Sequence, residues 1–152
     1  MPSRRDQIKM SDAELRAFLD EHKVMQVATV NPSGRPHMVP LWFVPDGVEL
    51  RGWTYAKSQK TRNLERDPRA TIGIEDGVEY QELRGAMFEC DVEIERETDK
   101  VVEYGLALVD RYVGGAEAAK EMFREQAKKR VGLIFRPTRI VTWDHRKLGG
   151  TY

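Results

Sequence analysis

"RGWTYAKSQKTRNLERDPRATIGIE", residues 51–75, changes its periodicity twice, and those two changes decide the architecture. Strand-type residues end at Tyr55, a helix runs from the cap Ser58 to about Asp67, and "DPR" stops it before a second strand over 69–75. The helix start carries Lys57, Lys60 and Arg62 and no acid. Backbone N–H groups and the macrodipole already make that end positive, so each cation costs a few tenths to about 1 kcal/mol. Two readings stand side by side. The cluster is a solvated basic face, or it seats an anion such as phosphate on the first-turn N–H groups, the Ser58 hydroxyl and the ammonium groups. No Walker or dinucleotide-type glycine pattern accompanies it, which excludes those loops.

Upstream, Ser11 and Glu14 form a capping box ahead of Leu15, Phe18 and Leu19, which predicts a helix over 11–22. "VMQVATV" (24–30), the turn "NPSGRP" (31–36) and "HMVPLWFV" (37–44) read as a hairpin. Pro40 cannot donate to a ladder, so its strand is an edge, a bulge, or a place where a ligand replaces the neighbouring strand. "PDG" (45–47) then leads into 48–55, which extends the hairpin to a three-stranded meander.

Downstream, Glu89, Asp91, Glu93 and Glu95 alternate with Cys90, Val92 and Ile94 in a strand spanning about 80–97, which places Cys90 in the core. Helices follow at about 98–112 and 115–130, the second with Ala119, Met122, Phe123 and Ala127 on a core-facing stripe. "VGLIF" (131–135) and "RIVTW" (139–143) read as a last hairpin around "RPT". The sum is one mainly β domain with helices (α+β) over 1–152, a small antiparallel barrel with helices at its ends.

The 152 residues hold 25 basic and 25 acidic side chains, so no overall field draws the chain to nucleic acid or an anionic membrane. A single cysteine excludes an internal disulfide and fits a cytoplasmic setting, and no stretch is apolar enough for a membrane span or a signal peptide. The three histidines, His22, His37 and His145, lack metal-ligand spacing, and no GxSxG elbow occurs. His37, Trp42, Trp53 and Tyr55 beside the proline-broken strand either pack a core or face a flat heterocycle with free main-chain groups at its edge. The tail 142–152 either covers a ligand or frays.

The order of "NPSGRPHMVPLWF", "SQKTRNLERDPRA", "LRGAMFECDVEI" and "VTWDHRK" resembles the pyridoxamine 5′-phosphate oxidase-like split β-barrels, and within them the flavin and deazaflavin oxidoreductases that use coenzyme F420. "KTRNLERDPRA" is its most specific part. The resemblance spans about residues 11–147 and implies a split β-barrel of the FMN-binding type, forming a homodimer with the cofactor in a groove between subunits. It places His37, Met38, Val39, Pro40, Leu41 and Trp42 along the ring, with Trp53 and Thr54 facing it from the next strand. Ser58, Gln59 and Lys60 would hold the phosphate, with Lys57 and Arg62 in support. Tyr80 would come from the partner subunit, and Trp143 would close the site. The implied activity is hydride transfer between F420, or FMN as the alternative, and a small unsaturated acceptor of the enone, quinone or tetrapyrrole type; cofactor or ligand binding without turnover is the rival. "HMVPLW" and "WDHRK" stand where FMN-binding pyridoxamine phosphate oxidases carry an Arg-x-Leu-Leu-Lys-like strand and an Arg-x-His, so that oxidation itself is not expected.

Overall fold

The computed structural model describes residues 1–150. Two short helices open the chain, α1 (Arg4–Gln7) and α2 (Asp12–Glu21), and each starts on a serine in a reciprocal capping box, Ser3 with Asp6 and Ser11 with Glu14. The second is the helix expected from the Ser11 motif, and it buries Leu15, Phe18 and Leu19.

Seven antiparallel strands follow: β1 (Met25–Val30), β2 (Pro36–Leu41), β3 (Val44–Asp46), β4 (Glu49–Tyr55), β5 (Arg69–Asp76), β6 (Arg84–Glu95) and β7 (Arg130–Asp144). Helix α3 (Gln59–Arg66) links β4 to β5, and α4 (Thr98–Tyr112) and α5 (Glu117–Ala127) link β6 to β7. The sheet runs β2-β1-β5-β6-β7-β4-β3 and curls into a half-barrel. Its interior holds Met25, Val27, Leu50, Ile72, Phe88, Leu133 and Phe135.

Three expectations from local pattern give way to this topology. The meander does not form: β1 and β2 pair as the expected hairpin, but β2 ends at Leu41 and the chain crosses at Trp42–Phe43 to the opposite sheet edge, where β3 pairs with β4. The last hairpin does not form either. "RPT" lies inside one 15-residue strand, β7, and the turn is replaced by a bulge. Cys90 faces Pro137 and Glu89 faces Arg139, which leaves Thr138 as the extra residue; its hydroxyl donates to the Glu89 carbonyl at 3.1 Å. The proline lacks a ladder donor, and the bulge bends the strand at that point instead of reversing it. Finally, residues 80–82 form a single 3-10 turn before β6, so the long strand begins at Arg84. Cys90 is buried as expected, and burial pushes its thiol pKa up to about 12, which makes it unreactive.

Helices α4 and α5 pack on the outer face of β4 and the adjoining part of β7, where Trp53, Val101, Leu108 and Ala127 form a second cluster. Helix α5 spans Glu117–Ala127, shorter than 115–130, and Met122 points away from that cluster with 53 % of its surface exposed, against the core role its spacing predicted. Two side chains fasten α4 to the rest. Arg111 donates to the carbonyls of Leu19 and His22 at 2.8 Å each, closing the C-terminal end of α2. The Tyr112 hydroxyl accepts from the Phe43 N–H at 3.0 Å and lies 2.7 Å and 2.8 Å from the carbonyls of Phe43 and Lys23.

Helix α4 seats on Trp53 through Gly105, where a Cβ would lie 2.5 Å from the indole ring. In a solvent-exposed helix Gly→Ala gains up to about 1 kcal/mol. Here Gly105→Ala overpacks the contact and lowers stability by about 1–3 kcal/mol, read from urea unfolding; a gain would show that α4 does not bear on Trp53.

Candidate functional site

Ser58 caps α3 as expected, and the cap consumes its hydroxyl. The Thr61 hydroxyl donates to the Tyr55 carbonyl at 2.9 Å, so the Ser58–Thr61 hydroxyl pair, 3.0 Å apart, takes its proton from Ser58. Ser58 Oγ also accepts the Thr61 N–H at 3.2 Å, and the buried Thr54 hydroxyl reaches it at 3.5 Å. Gln59 is exposed, and its amide donates to the Asn63 Oδ1 at 2.8 Å. Asn63 is fully buried and its own amide spans Thr29 and Asn31 at 3.0 Å each, and Arg66 donates to the Val30 carbonyl, so two side chains of α3 fasten it to β1. Sequence reasoning passed over Asn63; the one signal available was a polar residue on the apolar stripe beside Leu64.

What faces outward at this helix start is positive and unpaired. The N–H groups of Gln59 and Lys60 have no acceptor among the described residues, and neither Lys57, Lys60 nor Arg62 has a carboxylate partner there. Lys60 is only partly exposed, and burial lowers its pKa below the usual lysine value. The arrangement suits an anion with several oxygens, received by two backbone N–H groups and flanking cations.

The expected ring-binding residues divide between faces. On β2, His37, Val39 and Leu41 turn into the barrel opposite Thr29, Val27 and Met25, whereas Met38 and Pro40 turn outward. Met38 is 66 % exposed, and the His37 Nδ1 is buried without a partner. Trp42 stacks on Tyr112 with ring centroids 4.3 Å apart and 7° between planes. Trp53 and Thr54, neighbours on β4, face opposite sides: Thr54 turns toward the α3 cap, Trp53 toward α4 and α5.

Pro40, Leu41, Trp42 and Trp53 do meet, in a cavity of about 560 Å³ that also touches Leu108, Phe123, Gln126 and Arg130. The last four were not foreseen as site residues. Phe123 carried a core signature, and Arg130 followed Lys128 and Lys129 as one more basic residue at a helix end.

Tyr80 and Trp143 lie at the far end of β6 and β7, where Arg84 faces Asp144. Trp143 covers Gly85, and the Tyr80 ring stands edge-on to His145 at 4.8 Å. Thr54 faces Val131, and from there to Trp143 β7 runs roughly 40 Å of contour. One chain therefore holds these residues and the α3 cap at different ends of β7. Asp144 is engaged by Arg146 at 2.8 Å. The tail 142–152, read as a cover or a frayed end, includes Thr151 and Tyr152, which lie outside the described residues. Among the described residues no group of three or more His, Cys, Asp or Glu gathers as a metal site, and no helix is long and apolar enough to cross a membrane.

A family model described as pyridoxamine 5′-phosphate oxidase matches residues 11–144. No curated protein matches the sequence. Among solved structures, a conserved hypothetical protein from Mycobacterium tuberculosis is 39 % identical with a TM-score of 0.90, covering 99 % of this chain and 95 % of that one. An F420 reductase is 29 % identical with a TM-score of 0.64, covering 82 % of this chain and 94 % of its own. A heme storage protein from Vibrio cholerae, 19 % identical with a TM-score of 0.68 over 86 % of this chain and 93 % of that one, shares the fold.

The unpaired Lys60 gives a prediction for the chain without ligand. The unfolded chain keeps the Lys60 proton up to the ordinary value of 10.5, the folded chain loses it at lower pH, and stability therefore rises with pH between the two. Lys60→Met raises the urea midpoint at pH 7, and the advantage shrinks as pH approaches 10.5. A drop at pH 7 would mean that the ammonium is satisfied in the fold.

Proposed function

We propose, for a chain that belongs to the pyridoxamine 5′-phosphate oxidase family, that the α3 cap and the adjoining β2–β4 surface bind coenzyme F420 and that the protein is an oxidoreductase. The observation that supports this most is the set of three cations at one helix start with no carboxylate to neutralise them, one of them partly desolvated. A phosphate accepting from the Gln59 and Lys60 N–H groups would offset that desolvation and lift the dipole conflict together. The residues present fit a phosphate-bearing ring cofactor. Lys57, Lys60 and Arg62 would hold the phosphate, and the free main chain of the β2 edge would meet the ring's polar rim.

F420 supplies hydride transfer to an unsaturated organic acceptor. The chain's own contribution is to hold ring and acceptor in register and to keep water out, through Trp42 fixed on Tyr112 and the apolar floor around Trp53. Tyr80 and Trp143 would serve the site of a second copy, since one chain keeps them remote from its own. Gly73 supports a close approach by another molecule at the outer face of β5. It sits mid-strand on β5, with ordinary backbone and open space where a side chain would stand. Nothing inside the chain asks for a glycine there, although it costs about 0.5–1 kcal/mol in a strand; close contact with another molecule does ask for one.

Calorimetric titration tests the reading. F420 binds with micromolar or better affinity, and Lys60→Ala weakens it by about 1.5–3 kcal/mol as a charge-assisted contact is lost. FMN binding in its place, visible as flavin absorbance, would transfer the site to the alternative cofactor. Binding of neither would overturn the proposal.

A further inference from the structure

Arg130 opens β7 opposite Tyr55, and its guanidinium lies between two rings, 4.2 Å from the centroid of Tyr55 and 4.8 Å from that of Trp53. Stacking holds it in place without neutralising it. Its Nε is buried with no partner, and the guanidinium has no carboxylate or carbonyl acceptor among the described residues. Other arginines of the sheet have a carboxylate partner: Arg84 meets Asp76 at 2.8 Å, Arg51 meets Asp46 at 2.9 Å, and Arg136 meets Glu93. A guanidinium held against two aromatic rings, with no acceptor for its donors, is available to a guest.

Arg130 lines the 560 Å³ cavity, whose size lies in the range of small-molecule sites. The floor is Trp53 with Phe123 stacked beside it, centroids 5.2 Å apart and planes 17° from parallel. Leu108 and Trp42 supply further apolar wall, and the remaining polar group is the Gln126 amide, also without a partner among the described residues. The cavity therefore offers flat apolar surfaces, one planar cation and one neutral amide. A neutral guest would leave the guanidinium desolvated and unpaired. A phosphate dianion would meet a single cation here, while the α3 cap offers three.

We propose that this cavity binds a flat aromatic or conjugated monocarboxylate, its body between Trp42, Trp53 and Phe123 and its carboxylate held bidentately by Arg130 with Gln126 in support. The identification of this guest as the hydride acceptor rests on the function proposed above, because Pro40, Leu41, Trp42 and Trp53 border both sites; the binding itself does not.

The test is calorimetry on the 152-residue chain without cofactor, with 2-naphthoate and the neutral 2-naphthamide as probes. The wild-type chain binds the acid at least about tenfold tighter than the amide, the discrimination a charge-assisted pair provides. Arg130→Met, which keeps the stacked stem, brings the two affinities to within about twofold. Phe123→Ala weakens both probes by similar factors and leaves their ratio standing. Equal affinities in the wild type, binding of neither probe, or a preference that survives Arg130→Met each overturn the proposal. The wild-type comparison needs no variant to fold. A parallel F420 titration separates the claims: naphthoate binding without F420 binding keeps the carboxylate site and removes its acceptor role, and F420 binding without acid preference does the reverse.

Discussion

Two residues, Trp42 and Phe43, separate an edge strand on one side of the sheet from an edge strand on the other. The three Cα steps from Leu41 to Val44 reach at most about 11 Å, so seven strands have to curl until their edges face each other. The rest of the structure accommodates that short crossing. Gly52 lets the Trp42 carbonyl come close, since a Cβ there would lie 3.1 Å from it. Tyr112 holds the Phe43 main chain by both its N–H and its carbonyl, and the Thr138 bulge lets β7 follow the bend. A strand long enough to serve both halves of the sheet would otherwise carry the two edges apart.

The curl gives β4 two different faces. Thr54 joins a line of hydroxyls that ends on the Tyr55 carbonyl and fixes the start of α3, and Trp53 becomes the floor beneath α4 and α5. The positive helix start and the aromatic cavity are thus built from opposite faces of the same strand. Their polar economies also contrast. At the helix start the Ser58 hydroxyl bonds Thr61 and the Gln59 amide bonds Asn63, and the outward charge lies on the backbone and the cations. In the cavity the single cation is held by ring stacking alone.

Local chemistry was legible in the sequence wherever one turn of chain decides it. Ser11 with Glu14 and Ser58 before the basic run are caps in the structure, and the alternation around Cys90 marks its buried face. Partners across the chain were not legible. Nothing in 37–55 says that β2 and β4 avoid each other, because a hairpin-like spacing is equally compatible with a crossing to the far edge. "RPT" has turn composition, and only its register against Glu89 and Cys90 makes it a bulge. Met122 has core spacing yet lies exposed, and Arg130 has the sequence context of a solvated helix end yet sits between two rings. The resemblance supplied residues for a groove between subunits, with Tyr80 from the partner; within one chain the geometry distributes Trp53 and Thr54 between faces and sets Tyr80 and Trp143 at the far end of β7.

The edge strand β2 carries prolines at 36 and 40, and the backbone nitrogens at 36, 38 and 40 point the same way. Proline in an edge strand turns its empty nitrogen to solvent, so this outward row keeps a single donor, at Met38. A strand from another unfolded or misfolded chain finds too few partners there to extend the sheet. The sequence that leaves this edge open to a small guest thus also guards it against runaway aggregation, a hazard every exposed edge of comparable length carries.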